Sequence, residues 1–245
     1  MKSFFRIAAP LAGALALASL AVAADAAQTR KRAAPPARPQ SQGPNWQTTV
    51  ELRDNGHVLG NPDAAQKLVE FVSYTCSHCY EFSRTGDVAI RALLVPQGNV
   101  SYEIRHLLRD PVDLTAALLT NCGEPEKFPG NHEAIMAKQP EWLETARKAT
   151  QAQRTRWNFG TNAARWRAIA SDLGFYDILE ARGYTRTALD RCLADDAKAN
   201  ALAAATQRDV ETFDLKGTPS FVLNGKLLDG VYSWDTLRPV LEKLD

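Results

Sequence analysis

Cys76 and Cys79, with Ser77 and His78 between them, are the residues of this chain best suited to chemistry. Two thiols at this spacing can help hold a metal, close a small structural loop, or pass electrons by making and breaking a disulfide. Structural zinc takes four ligands, usually two such pairs or one pair with two histidines. There is one Cys-x-x-Cys; Cys122 and Cys192 stand alone, and His57, His106 and His132 are scattered along the sequence. No metal and no other cofactor are expected. A bond closing so short a loop removes little entropy from the unfolded chain and so stabilises little. Redox exchange makes the best physical sense of the pair.

The elements around the pair supply the reason. "QKLVEFVSY" before it is a nearly continuous apolar run, fitting a strand buried on both faces. "YEFSRTGDVAIRALLVPQGN" after it has helical spacing, with Phe82, Val88, Leu93 and Leu94 as inward positions and Pro96 and Gly98 as the stop. "VSYEIRHLLRDP" reads as a second strand, giving a β-α-β unit with the cysteines at its strand-to-helix turn. There Cys76 would meet unpaired backbone N–H groups and the positive end of the helix dipole. His78, when protonated, adds charge of the same sign. Each favours thiolate over thiol, so a lowered Cys76 pKa is expected. A stabilised reduced form makes the disulfide an oxidant. Cys79, one turn deeper, is the natural resolving thiol.

Two other positions can serve the pair. Glu70 lies in the buried strand, six residues before Cys76. It reads either as a paired or edge-exposed carboxylate, or as a proton acceptor near Cys79 with its pKa raised by apolar surroundings. Thr218-Pro219 opens a later strand just after Gly217. Such a proline either marks a sheet edge or holds a cis bond.

The rest of the chain frames this unit. "TTVELRDNGHVLGNPDA" suggests a leading strand or hairpin. From about 112 to 195 the sequence is helix-like, with Trp142, Trp157 and Trp166 reading as helix packing in preference to an aromatic binding surface. "AKANALAAATQRDVETF" is Ala-rich and strongly helical. "TPSFVLNGKLLDG" is a hairpin turning at Asn224-Gly225, and "SWDTLRPVLEKL" a closing helix capped by Ser233 or Asp235.

Residues 1–26 have a basic start, an apolar stretch from about Ile7 to Val22 and Ala-x-Ala triplets, the layout of a secretory signal peptide. The stretch is short of the roughly 20 residues a spanning helix needs. Residues 27–45, rich in Pro, Ala, Gln and Arg, read as a flexible leader. Six of the 29 Lys and Arg and one of the 28 acids precede residue 44, so the remainder carries 23 basic and 27 acidic residues, near −4. That balance gives no sign of nucleic-acid binding. Export brings an oxidising compartment, where disulfides persist. Four cysteines allow three connectivities. The 76–79 spacing singles out one pair and leaves Cys122 with Cys192, as a disulfide, as free thiols or as a relay pair.

"EFVSYTCSHCYEF", followed far downstream by "KGTPSFVLNGK", resembles the DsbA-like branch of the thioredoxin superfamily. The resemblance implies an α/β, thioredoxin-like fold from residues 46–111 and 205–245, with a helical subdomain inserted at 112–204. It implies that Cys76 is the exposed nucleophile, Cys79 its buried partner, Glu70 the buried acid and Pro219 a cis-proline facing the disulfide. Backbone beside Thr218 and Pro219 would pair with an extended substrate. Cys122 and Cys192 are extra to the enterobacterial oxidase of that family, and are expected to join across the insert as a structural staple. It also implies a periplasmic enzyme, with exported cysteine-containing proteins as substrates and a membrane quinone-linked reoxidase as partner. The sequence departs from the enterobacterial oxidase at Ser77, where that protein has proline, and at Thr218, where it has valine; threonine there is shared with disulfide isomerases. The dimeric isomerases carry an N-terminal dimerisation domain, for which residues 27–50 are too short and polar. The leading expectation is a dithiol oxidase. Isomerase or reductase action by the same pair is the alternative, and a peptide-binding holdase with incidental cysteines the remote one.

Overall fold

Strand β1 (Val50–Arg53) turns back into β2 (Gly56–Leu59) in the computed structural model, which describes residues 44–53 and 56–243. The expected signal peptide and nearly all of the expected leader lie outside the described residues. β3 (Gln66–Val72) then runs into α1 (Ser77–Phe82). The helix continues through π-helical turns at Ser83–Asp87 and Ile90–Leu94 to a tight 3-10 turn at Val95–Gln97. β4 (Val100–His106) completes the β-α-β unit, parallel to β3. A helical run follows: α2 (Pro111–Thr120), α3 (Phe128–Ala137), α4 (Gln139–Arg147), α5 (Gln151–Asn158), α6 (Asn162–Asp172), α7 (Phe175–Glu180) and α8 (Arg186–Cys192). The long α9 (Asp196–Phe213) leads to β5 (Ser220–Leu223), β6 (Lys226–Leu227) and α10 (Trp234–Leu241).

The sheet order is β1-β2-β4-β3-β5-β6, and every pairing except β3–β4 is antiparallel. β3 therefore lies inside the sheet with both edges paired. Its alternate residues face different helices. Leu68 and Val72 join Tyr102, Ile104, Phe82 and Ile90 in the main core. Phe71 faces the other way, with Leu215, Val222 and the α9 residues Val210 and Phe213. The main core continues without a break into the helical run, through Trp142, Trp166, Phe175 and Leu202.

The helix after the cysteines corrects the expected inward set. Phe82 is buried and Leu94 partly so, but Val88 is 53% and Leu93 64% exposed. Gly86, Asp87, Ile90 and Val95 face inward instead. Each π turn takes up an extra residue and advances the phase of the helix, which a 3.6-residue period does not follow. Gly86 has a packing reason of its own: a Cβ there would run into the Phe82 ring. All three expected packing tryptophans are buried. Asn224 and Gly225 both take positive φ, as a tight two-residue hairpin requires.

Candidate active site

Cys76 caps α1 in extended conformation, so its side chain faces the helix N-terminus. Its pKa is lowered to about 5. The thiol of Cys79, hydrogen-bonded to it, contributes most; the Thr218 hydroxyl and the backbone N–H groups of Cys79 and His78 add to it, against burial. His78 contributes here through its backbone N–H. The same helix-terminal donors stabilise anions generally. Cys79 is fully buried, and burial together with its negative neighbour drives its thiol well above the ordinary range. The two cysteines are free thiols with opposite acidities.

The expected exposure of Cys76 also needs correction: only 6% of it is exposed. The Thr218-Pro219 peptide is cis, and the Thr218 carbonyl accepts from Cys76 Sγ at 3.2 Å. The sulfur is reached from a cleft of about 420 Å³ between Cys76, His78, Leu107, Arg109 and the Leu215–Thr218 segment. Glu70 sits on the inner face of β3, 2% exposed. Its carboxyl accepts a short hydrogen bond from the Tyr102 hydroxyl. Burial raises its pKa to about 8, with the charges of Asp87 and Cys76 pushing the same way and Tyr102 opposing. The structure thus brings Cys76, Cys79, His78, Glu70, Thr218 and Pro219 to one place, though they span some 150 positions.

Cys122 and Cys192 lie elsewhere. They are bonded to each other, joining the turn after α2 to the last residue of α8.

Several residues around the pair carried no recognisable signal. Asp113 of α2 is buried and accepts from the Ser73 hydroxyl (2.6 Å), the Tyr74 amide (2.8 Å) and the Arg109 amide (3.1 Å). Gln139 of α4 donates to the carbonyls of Tyr74 (2.6 Å) and Cys76 (2.9 Å). The Tyr74 hydroxyl bonds Thr120 and His132. The helical run thereby fixes the loop that presents Cys76. His57, His106 and His132, scattered in sequence, converge on the Phe128 ring. Burial lowers the pKa of all three, to about 3 for His57 and His132, so they pack as neutral rings. Among the described residues no group of three or more His, Cys, Asp or Glu is placed to hold a metal ion.

The sequence pattern of the thioredoxin family matches residues 52–243. The chain belongs to the thioredoxin family. Within that family it is 46% identical to a solved protein-disulfide isomerase of Novosphingobium aromaticivorans, over 79% of this chain and 100% of that one, with a TM-score of 0.75. It shares the DsbA-like fold of Wolbachia pipientis alpha-DsbA1 at 19% identity, covering 82% and 96% of the two chains, with a TM-score of 0.62. A candidate protein-disulfide oxidoreductase of Rickettsia conorii is 26% identical over 196 residues, 80% of this thioredoxin-family chain. The aligned part is 62% of that relative, less than two thirds of its length.

Proposed function

We propose that this chain is an exported protein thiol–disulfide oxidoreductase that oxidises cysteine pairs in exported proteins. The observation that carries the reading is the split acidity of one buried pair: a helix-capping Cys76 favoured as thiolate beside a Cys79 held as thiol. In the oxidised enzyme a substrate thiolate attacks Cys76 Sγ. The Cys76–Cys79 bond breaks, Cys79 leaves with the electron pair and takes up a proton, and a mixed disulfide forms. A second substrate thiolate then attacks the substrate sulfur and expels Cys76 as its stable thiolate. The substrate loses two electrons and the enzyme gains them. His78 and Thr218, the residue before the cis-proline, border the cleft where the substrate strand would lie. Glu70 exchanges the Cys79 proton. Reoxidation falls to a membrane quinone-linked partner in the periplasm.

Thr218 and the isomerase name of the Novosphingobium relative favour a second reading, in which the same pair reshuffles wrong disulfides. Two substrates separate the readings. As an oxidase, the oxidised protein converts a reduced, unfolded multi-cysteine protein to disulfides stoichiometrically and leaves a scrambled one inactive. Recovery of native activity from the scrambled protein by the reduced enzyme, with slow oxidation of the reduced one, would overturn the oxidase reading.

A further inference from the structure

Glu70 is not the end of the buried acid system. Tyr102 of β4 is wholly buried and binds Glu70. Beyond it lies Asp87, in the π turn after α1, 2% exposed. Burial raises the Asp87 pKa; the charge and hydrogen bond of Arg91 oppose it most, Glu133 adds to the rise, and the Tyr102 hydroxyl, also within reach, opposes it least. Asp87 Oδ2 accepts from Arg91 Nη1 at 3.0 Å, whereas its buried Oδ1 has no hydrogen-bond partner. An unpaired buried carboxylate oxygen is costly and calls for a reason. Arg91 continues to the surface, 3.6 Å from the exposed Glu133 of α3. Both line a cleft of about 320 Å³ that shares no residue with the cleft at Cys76.

We propose that Tyr102 and Asp87 form a proton relay linking Glu70, and through it Cys79, to solvent at Arg91. The inference rests on the reading of Cys76 and Cys79 as an exchange pair. Its need is clearest during reoxidation by a disulfide. Cys76 thiolate attacks the oxidant, forms a mixed disulfide and releases one thiolate. Cys79 must then lose its proton, attack Cys76 Sγ and expel the second thiolate. Glu70 is neutral below about pH 8 and must give up a proton before it can accept one. With Glu70 protonated, its O–H donates to the Tyr102 oxygen and frees the phenol hydrogen for Asp87. The Cys79 proton passes to Glu70, the Glu70 proton to Tyr102 and the Tyr102 proton to Asp87 Oδ1, which releases it at the Arg91 side. Reduction of the enzyme runs the chain in reverse. Tyr102 and Asp87 are positioning residues, acting through Glu70 without touching substrate.

The test uses the reduced full-length protein and oxidised glutathione, with rapid acid quench and mass spectrometry to follow the mixed disulfide on Cys76. In Asp87→Asn and Tyr102→Phe its formation keeps the unsubstituted rate, while its closure at pH 7 slows by roughly a hundredfold, the low end of what a positioned proton carrier supplies. Asp87→Glu restores closure. Above pH 8 the deficit shrinks, because Glu70 is then already ionised. Asp87→Asn decides by sign: charge alone predicts faster closure, since losing the Asp87 charge lets Glu70 ionise more easily. Unchanged or faster closure in Asp87→Asn, or unchanged closure in Tyr102→Phe, overturns the relay. If the unsubstituted protein forms no mixed disulfide, the exchange reading falls and the relay with it; normal exchange with unslowed variants removes the relay alone.

Discussion

Replacing Cys76 with serine abolishes disulfide transfer, to the rate without enzyme, and leaves the fold unchanged by circular dichroism. Serine fits the site, but its hydroxyl neither ionises near neutral pH nor forms a disulfide. A thiol with a pKa near 5 is almost wholly thiolate at pH 7, whereas a free cysteine with a pKa near 8.5 is about 3% thiolate. Cys79→Ser gives a different result. Cys76 still attacks, because the serine hydroxyl can replace the Cys79 thiol as donor to its thiolate, and mixed disulfides accumulate for want of a resolving thiol. A holdase with incidental cysteines would keep its activity in both variants, so retained activity in Cys76→Ser would exclude exchange as the function.

The largest expected loss of stability comes from the other pair. Cys122 and Cys192 close a loop with a sequence separation of 70. In the chain-entropy account a loop of that length contributes about 4 kcal/mol, by restricting the unfolded state. Replacing both by serine is expected to lower the unfolding free energy by up to that amount and Tm by roughly 10 °C for a chain of this size. The bond ties the end of α8 to the turn after α2, and α2 carries the Asp113 that holds the Cys76 loop. Even so, none of the groups that lower the Cys76 pKa belongs to this region. The double variant therefore melts earlier with its Cys76 pKa unchanged. Urea unfolding and thiolate titration of the same sample check both parts, and a shifted pKa would show that the staple tunes the site.

Much of the site was legible because its residues lie where local rules act. The turn into α1 puts Cys76 at the helix N-terminus, where backbone amides add to the Cys79 thiol in favouring the thiolate. Glu70 stood out as a charge in a strand otherwise apolar, and burial gives it the raised pKa foreseen. Asn224-Gly225 specified its hairpin through the backbone it tolerates. What stayed hidden depends on tertiary structure. Asp87 looks like any polar residue on a helix, and only the π turns rotate it inward. Asp113 and Gln139 carry no local signal, because their partners lie about 40 and 65 residues away. The exposure of Cys76 was overestimated because its cover, the Leu215–Thr218 segment, arrives from the far end of the chain. The three histidines are separated by whole elements, and nothing local tells that they meet at Phe128.

The central claim is that this fold holds Cys76 as a thiolate ready for disulfide exchange. The pH dependence of its alkylation by iodoacetamide, followed on the reduced protein, measures that most directly. A single transition near pH 5, absent in Cys76→Ser, is the predicted result. A transition near 8.5, where a free cysteine titrates, would contradict it.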